Sequence, residues 1–248
     1  FRAGSVVLLE ASRKRLTPLA AMLYWEGPPF APETPVNQPF QPFRLVVETL
    51  GVDRGGRRVI EDVDFEVTGG EAILVTGPNG VGKSTLLRAL AGLGRPAKGA
   101  VRFVADGVAD PEEVGRHAHF LGHRDAVKPA LTVGENLAFW QDFLGADGGA
   151  SVEVALDAVG LADLAALPAA YLSAGQRRRL AIARLIAVRR PLWLLDEPTA
   201  ALDAASEASL VGLMADHVGH GGALVAATHL AIGLAGARSL RLIAGEIA

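Results

Sequence analysis

The stretch GPNGVGKST, Gly77 to Thr85, constrains this chain more than any other. It follows EAILVTG, a short apolar run ending in glycine, and leads into STLLRALAGL, whose apolar residues recur at helical spacing. A strand, a glycine-rich turn and a helix in that order let successive backbone N–H groups wrap around an anion. The helix N-terminus adds its positive end. The pattern G-x-x-x-x-G-K-[S/T] sends Lys83 toward terminal phosphates and offers the Ser84 hydroxyl to Mg²⁺. The expected nucleotide-binding residues are Gly77, Pro78, Asn79, Gly80, Val81, Gly82, Lys83, Ser84 and Thr85. A plain glycine turn is the alternative, and the strand-to-helix context argues against it.

The second constellation is LWLLDEPTAALD, Leu192 to Asp203. Four apolar residues make a buried strand, and two carboxylates emerge at its end. In open α/β sheets, ligands bind beyond the carboxyl ends of the strands. Asp196 is then placed to hold Mg²⁺ through water, and Glu197 to orient and polarise an attacking water. Two surface acids capping a strand are the plain alternative, which a phosphate loop in the same chain weakens.

LSAGQRRRLAIARL, Leu172 to Leu185, sets a loose turn before a basic helix. Arginines in a first helical turn face the positive end of the dipole, so local stability does not explain them. A turn carrying Ser173, Ala174, Gly175 and Gln176 at a helix N-terminus is a second phosphate-binding device. One ATP cannot easily use two separate helix N-termini on one face of a single domain. The economical solution is a head-to-tail homodimer, each turn closing over the partner's nucleotide. Arg177, Arg178 and Arg179 are then expected against phosphate or partner acids, with a solvated basic face as the alternative.

Composition sets the limits. With 24 basic and 27 acidic residues, the chain lacks the basic excess of a non-specific nucleic-acid binder. It has no cysteine, which excludes disulfides and thiolate metal sites. No run reaches the roughly 20 apolar residues of a direct membrane span. RKRLTPLAAMLYW, Arg13 to Trp25, has the charge pattern of a signal peptide, but Pro18 interrupts it and no cleavage pattern follows. EGPPFAPETPVNQPFQPF, residues 26–43, holds six of the 14 prolines and reads as an extended linker. Residues 1–43 are thus expected to be a poorly ordered extension, and 44–248 the folded domain. Within that domain strands alternate with helices, which implies an α/β fold on a mostly parallel sheet. Residues from about 125 to 190 read as helical and form a subdomain. SVEVALDAVGLADLAAL reads as one helix, and SLRLIAGEIA as a closing hairpin.

GPNGVGKST, LSAGQ, LLDEP, ALD and ATH stand in the order and spacing of an ABC-type ATPase, which the chain resembles from about Leu45 onward. The resemblance implies a P-loop NTPase with a RecA-like core, an N-terminal antiparallel β part and a helical signature subdomain. It implies ATP and Mg²⁺ as cofactors and ATP hydrolysis as the activity. It also implies that Asp203 lies at a dimer interface and that His229 is the switch histidine at the γ-phosphate. Two positions depart from the family pattern. Arg54 stands where an aromatic residue usually stacks on adenine, and His123 stands where a glutamine usually meets Mg²⁺ and water. A metal cluster of His117, His119 and His123 is a rival reading of the histidines, without a fourth ligand.

The GH of FLGHRDAVKPALTVGENLAF, its ENL and LSAGQRRR make the chain similar to the ATP-binding subunits of cytochrome c maturation complexes. That resemblance implies an integral membrane partner, CcmB, with CcmC and CcmD, at the cytoplasmic face of the bacterial inner membrane. ATP hydrolysis is then coupled to haem export or to release of the haem-loaded chaperone CcmE. The alternatives are another small bacterial ABC exporter and a non-transport ABC ATPase. The latter carries long insertions between phosphate loop and signature that this chain lacks.

Overall fold

The computed structural model describes residues 38–110, 114–145, 148–229 and 232–243. The first sheet is antiparallel. It holds β1 (Phe43–Arg54), β2 (Arg57–Thr68), β4 (Lys98–Ala105) and β5 (Val108–Asp110) in the order β2-β1-β4-β5. The second sheet is parallel and contains β3 (Ala72–Thr76), β6 (Ala118–Leu121), β7 (Leu192–Asp196), β8 (Ala223–Ala227) and β9 (Arg238–Arg241). Their order is β6-β7-β8-β3-β9. Among the described residues six α-helices accompany the strands: α1 (Lys83–Leu90), α2 (Val114–His117), α3 (Val133–Leu144), α4 (Val152–Ala158), α5 (Ala174–Ala187) and α6 (Ala204–Gly219). This is the α/β fold and helical region that the alternation of elements implies, with the antiparallel β part that the resemblance implies. No helix among the described residues is long and apolar enough to cross a membrane.

β7 and β8 are buried at every position, so neither shows polar alternation. The strand period of two instead divides their side chains between two cores. Leu192, Leu194, Val225 and Ala227 pack in one cluster with Leu86, Leu87 and Leu90 of α1. Trp193, Leu195, Leu224 and Ala226 pack in the other with Leu180, Ile182 and Leu185 of α5 and Leu210 and Met214 of α6. Helices α1 and α5 therefore lie on opposite faces of the parallel sheet.

Three sequence expectations change. α4 stops at Ala158 and does not run on through Leu167. Gly160 sits at φ 66; its N–H meets the Asp157 carbonyl at 2.9 Å and the Leu161 N–H meets that of Leu156 at 2.8 Å. This glycine-centred C-cap turns the chain so that Leu161 is fully buried, and Ala162–Leu164 forms a separate 3-10 turn. β6 is an additional strand with no clear sequence signal, because AHFL is short and His119 breaks its apolar run. The closing stretch SLRLIAGEIA places its first residues in β9, parallel to β3, while 244–248 lie outside the described residues. Most of the proline-rich extension, 1–37, also lies outside them. Phe40 lies edge-on to the His217 ring at 5.4 Å and beneath the Arg189 guanidinium at 3.8 Å.

His119 and His217 tie the parallel sheet to its connections. The His119 Nε2–H donates to the Val188 carbonyl at 2.7 Å, and the His217 Nε2–H to those of Pro191 at 3.1 Å and Ala223 at 3.3 Å. Burial pushes both imidazoles down to about 3, with the nearby cations of Arg184 and Arg189 respectively acting the same way. The unfolded chain takes up these protons near pH 6.5, whereas the folded chain does so only near pH 3. Stability is therefore lost as pH falls from about 6.5 toward 3. At pH 5 the loss is about 2 kcal/mol for each histidine. Urea unfolding at pH 7.5 and 5.0 measures it, and equal midpoints at both pH values contradict it.

Candidate nucleotide site

β3, β8 and β7 are neighbours and parallel, so their carboxyl ends share one edge of the sheet. That edge receives the loop before α1, the Thr228–His229 pair and the Asp196–Glu197 pair. Such an edge is where open α/β sheets bind ligands. The sheet topology thus gathers side chains from three separate stretches of sequence.

The phosphate loop is shaped by close packing. A Cβ on Gly77, at φ 143, would lie 2.5 Å from the Leu242 carbonyl oxygen. One on Gly82, at φ 109, would lie 2.8 Å from Ile60 Cδ1 and 2.9 Å from Val59 Cγ1. Strand β2 therefore leans directly on the loop, and only glycine fits both positions. Pro78, Asn79 and Gly80 lie at or near the surface, and Val81 and Lys83 are buried. No described side chain caps the N-terminus of α1, and its first turn carries no acid. Its first N–H groups therefore face outward as anion donors. Lys83 Nζ donates to the carbonyls of Gly77 at 2.9 Å and Pro78 at 3.3 Å, folding over the loop. Next to it, Ser84 Oγ donates to Asp196 Oδ1 at 3.0 Å. This hydroxyl and carboxylate supply oxygen ligands of the kind Mg²⁺ takes, beside a loop that cradles phosphate. The donor set fits a magnesium nucleotide. Thr85 follows on α1, half-buried.

Glu197 sits in the left-handed region at φ 46, where a side chain is disfavoured. Its N–H is held by the Ala227 carbonyl at 2.9 Å. Its carboxylate Oε2 accepts from His229 Nδ1 at 2.7 Å and lies 3.4 Å from the His229 backbone nitrogen. Two residues 32 positions apart thus form one acid–imidazole unit. Asp203 ends the following loop and caps α6 by accepting from the Ser206 N–H at 2.8 Å. That N–H holds the Asp203 carboxyl below the usual range.

Ser173 and Gln176 form a capping box at the start of α5. Ser173 Oγ accepts from the Gln176 N–H at 3.2 Å, and Gln176 Oε1 from the Ser173 N–H at 2.8 Å. Gly175 lies against the loop that leads to Asp203, since its Cβ would stand 3.0 Å from the Ala201 carbonyl oxygen. Ser173 and Ala174 are exposed. The turn 173–176 begins a helix that packs on the face of the sheet opposite α1.

The reading of Arg178 as a phosphate or partner contact is corrected. Arg177 turns back to the Leu172 carbonyl, and Arg179 Nη1 donates to those of Val159 at 3.0 Å and Gly160 at 3.2 Å. Arg178 is only 3% exposed and points into the protein. Within the chain, backbone carbonyls accept from this basic run, and the Asp125 carboxylate pairs with Arg178 at 3.0 Å. The histidines do not form a metal cluster either. His117 stacks on Phe103 at 4.1 Å, His119 is held by Val188, and His123 is exposed in the loop after β6. Among the described residues no three His, Asp or Glu side chains converge to hold a metal. Arg54 is exposed beside the Gly55-Gly56 turn that joins β1 to β2. The inward course of Arg178 and its partner Asp125 had no signal in the sequence.

Comparison with known proteins adds the following. The family model described as ABC transporter matches residues 60–200. The cytochrome c biogenesis ATP-binding export protein CcmA of Rhodopseudomonas palustris is 55% identical over 191 residues, 77% of this chain and 94% of that protein. The same-named protein of Nitrobacter winogradskyi is 56% identical over 201 residues, 80% and 98% of the two chains. A solved ATP-binding subunit of an ABC transporter superposes with a TM-score of 0.66 at 26% identity, covering 75% of this chain and 79% of that one. A Pyrococcus furiosus ATP-binding protein assigned to the ABC transporters gives 0.69 at 23% identity over 80% and 97%, a likeness of fold.

Proposed function

Because this chain belongs to the ABC transporter family of ATP-hydrolysing domains, we propose that it is the ATPase subunit of an export complex for cytochrome c biogenesis. The observation that carries this is the 55% identity with the Rhodopseudomonas palustris CcmA over nearly that protein's whole length. The site supports the chemistry. The loop from Gly77 to Gly82, the first turn of α1 and Lys83 bind the phosphates. Ser84 and Asp196 hold Mg²⁺, which neutralises charge on the phosphates when bound. Glu197 accepts a proton from the attacking water, and His229 orients that carboxylate through Nδ1 and stands ready for the γ-phosphate. His123 takes the glutamine's place in the loop that faces the membrane partner.

The working unit is a homodimer with nucleotide sandwiched between the phosphate loop of one chain and Ser173, Ala174, Gly175 and Gln176 of the other. The exposure of Ser173 and Ala174 at the start of α5 supports it, because the turn is open to a second chain. Asp203, in the loop that packs on Gly175, then lies at the interface. The membrane partner is CcmB, with CcmC and CcmD, and the protein sits peripherally on the cytoplasmic face of the inner membrane. Hydrolysis drives haem export or release of haem-loaded CcmE. Deleting the gene is expected to abolish holo c-type cytochromes and to spare b-type haem proteins. Haem staining and difference spectra of membranes decide this, and c-type cytochromes at normal levels in a clean deletion remove the assignment while leaving the ATPase intact.

A further inference from the structure

Arg178 has more in its reach than any other side chain near the site. Its guanidinium has five N–H donors, and each has its own acceptor. Nε donates to the Pro198 carbonyl at 3.1 Å. Nη1 donates to the Gly122 carbonyl at 2.9 Å and to Asp125 Oδ1 at 3.0 Å. Nη2 donates to the carbonyls of Asp196 at 3.1 Å and Glu197 at 2.7 Å. Three consecutive carbonyls, 196 to 198, converge on one planar fork. Asp125 is the sole carboxylate among the five acceptors.

The convergence has a cause in the backbone. Glu197 stands at φ 46, a conformation that a residue with a Cβ avoids unless its surroundings enforce it. Turning the carbonyls of Asp196, Glu197 and Pro198 toward one point requires a local reversal of this kind. A buried cation rewards that reversal with charge-assisted hydrogen bonds. The reversal also sends the Glu197 carboxylate back to His229 Nδ1 at 2.7 Å. The other edge of the fork fixes the loop 122–125, which carries His123. One side chain on the signature helix α5 therefore holds both the turn of the general base and the partner-facing loop. Displacement of the loop at Gly122 or Asp125 moves the guanidinium, and with it the Glu197 turn.

We infer that Arg178 is a positioning residue for hydrolysis: it locks the Glu197 turn in its reactive conformation and ties it to the loop 122–125. The inference rests on the reading of Glu197 as general base. Lysine at 178 keeps the charge but offers three donors, so two of the five acceptors lose their partner. Nucleotide contacts lie elsewhere, on the phosphate loop and α1.

The test uses the purified full chain, and compares wild type, Arg178→Lys, Glu197→Gln and the double variant. Binding of a fluorescent ATP analogue, kcat, KM and thermal melting are measured. Arg178→Lys is expected to bind the analogue and keep KM within about twofold, and to lose on the order of 10²-fold in kcat, the scale of a misplaced reacting group. In the Glu197→Gln background the same change is expected to cost less than about threefold, since residues acting as one unit are not additive. An equal loss of analogue binding and kcat, or a full 10²-fold further loss in the double variant, overturns the inference. If Arg178→Lys does not fold, Asp125→Ala decides, because it removes the one carboxylate acceptor at the loop end of the fork. Reduced kcat with intact analogue binding supports the inference, and wild-type kcat overturns it. Glu197→Gln at wild-type rate removes the base reading itself. A slow Glu197→Gln beside a wild-type Arg178→Lys removes only the role of Arg178.

Discussion

Lys83→Ala is expected to abolish tight Mg-ATP binding and to bring hydrolysis to background. Lys83 carries the one positive side chain in the loop, at the first position of α1. Its ammonium folds over the loop onto the Gly77 and Pro78 carbonyls, which keeps it at the loop's phosphate-binding face. Each hydrogen bond from a charged donor contributes about 1.5–3 kcal/mol, roughly 10- to 150-fold in affinity. Loss of the ammonium removes at least one such bond to phosphate, and removes more as charge builds on the transferring group. The fold is expected to survive, because Pro78, Asn79 and Gly80 are exposed and water can reach the carbonyls that the lysine leaves. Arginine is not a neutral replacement, because its planar fork does not fit where a compact point charge does. Nucleotide titration and phosphate release on the folded variant measure the effect. Near-normal turnover removes the phosphate-loop assignment of Gly77 to Thr85.

Glu197→Gln is expected to keep Mg-ATP binding and to lose roughly 10²- to 10⁴-fold in rate, the worth of a positioned general base. The amide preserves shape and still offers its Oε1 to His229 Nδ1, so the acid–imidazole contact survives as a hydrogen bond. Only the capacity to take a proton is gone. With hydrolysis stalled, an ATP-bound dimer is expected to accumulate, visible by light scattering after size separation. A monomer with ATP, at concentrations where wild type turns over, argues against the sandwich. A fast Glu197→Gln argues against the base. The two outcomes are independent, so one variant tests both parts of the mechanism.

The strand, loop and helix around GPNGVGKST are legible in the sequence because they are consecutive. Backbone freedom at glycine, a short apolar run and helical spacing all lie within one window of the chain. The run LWLLD announces a buried strand for the same reason, and the parallel α/β arrangement follows from the alternation of elements. Ser84 and Asp196, 112 residues apart, are assigned to one cation by sequence reasoning alone, because parallel strands deliver their carboxyl ends to one edge. Shorter signals fail. Four residues of β6 with a histidine among them carry too little periodicity, and the end of α4 turns on a single glycine conformation.

Tertiary structure alone decides the fate of the basic run. Arg177, Arg178 and Arg179 are chemically identical and adjacent in sequence, yet a helix turns about 100° per residue and sends each in a different direction. Which of them enters the protein depends on how α5 docks. The acceptors of Arg178 lie 18 to 20 and 53 to 56 residues away. Carbonyls at such separations become a binding site for a cation only when the loops that carry them are assembled. No local window of sequence contains them, so the chain alone specified a cation at position 178 and the fold supplied what it holds.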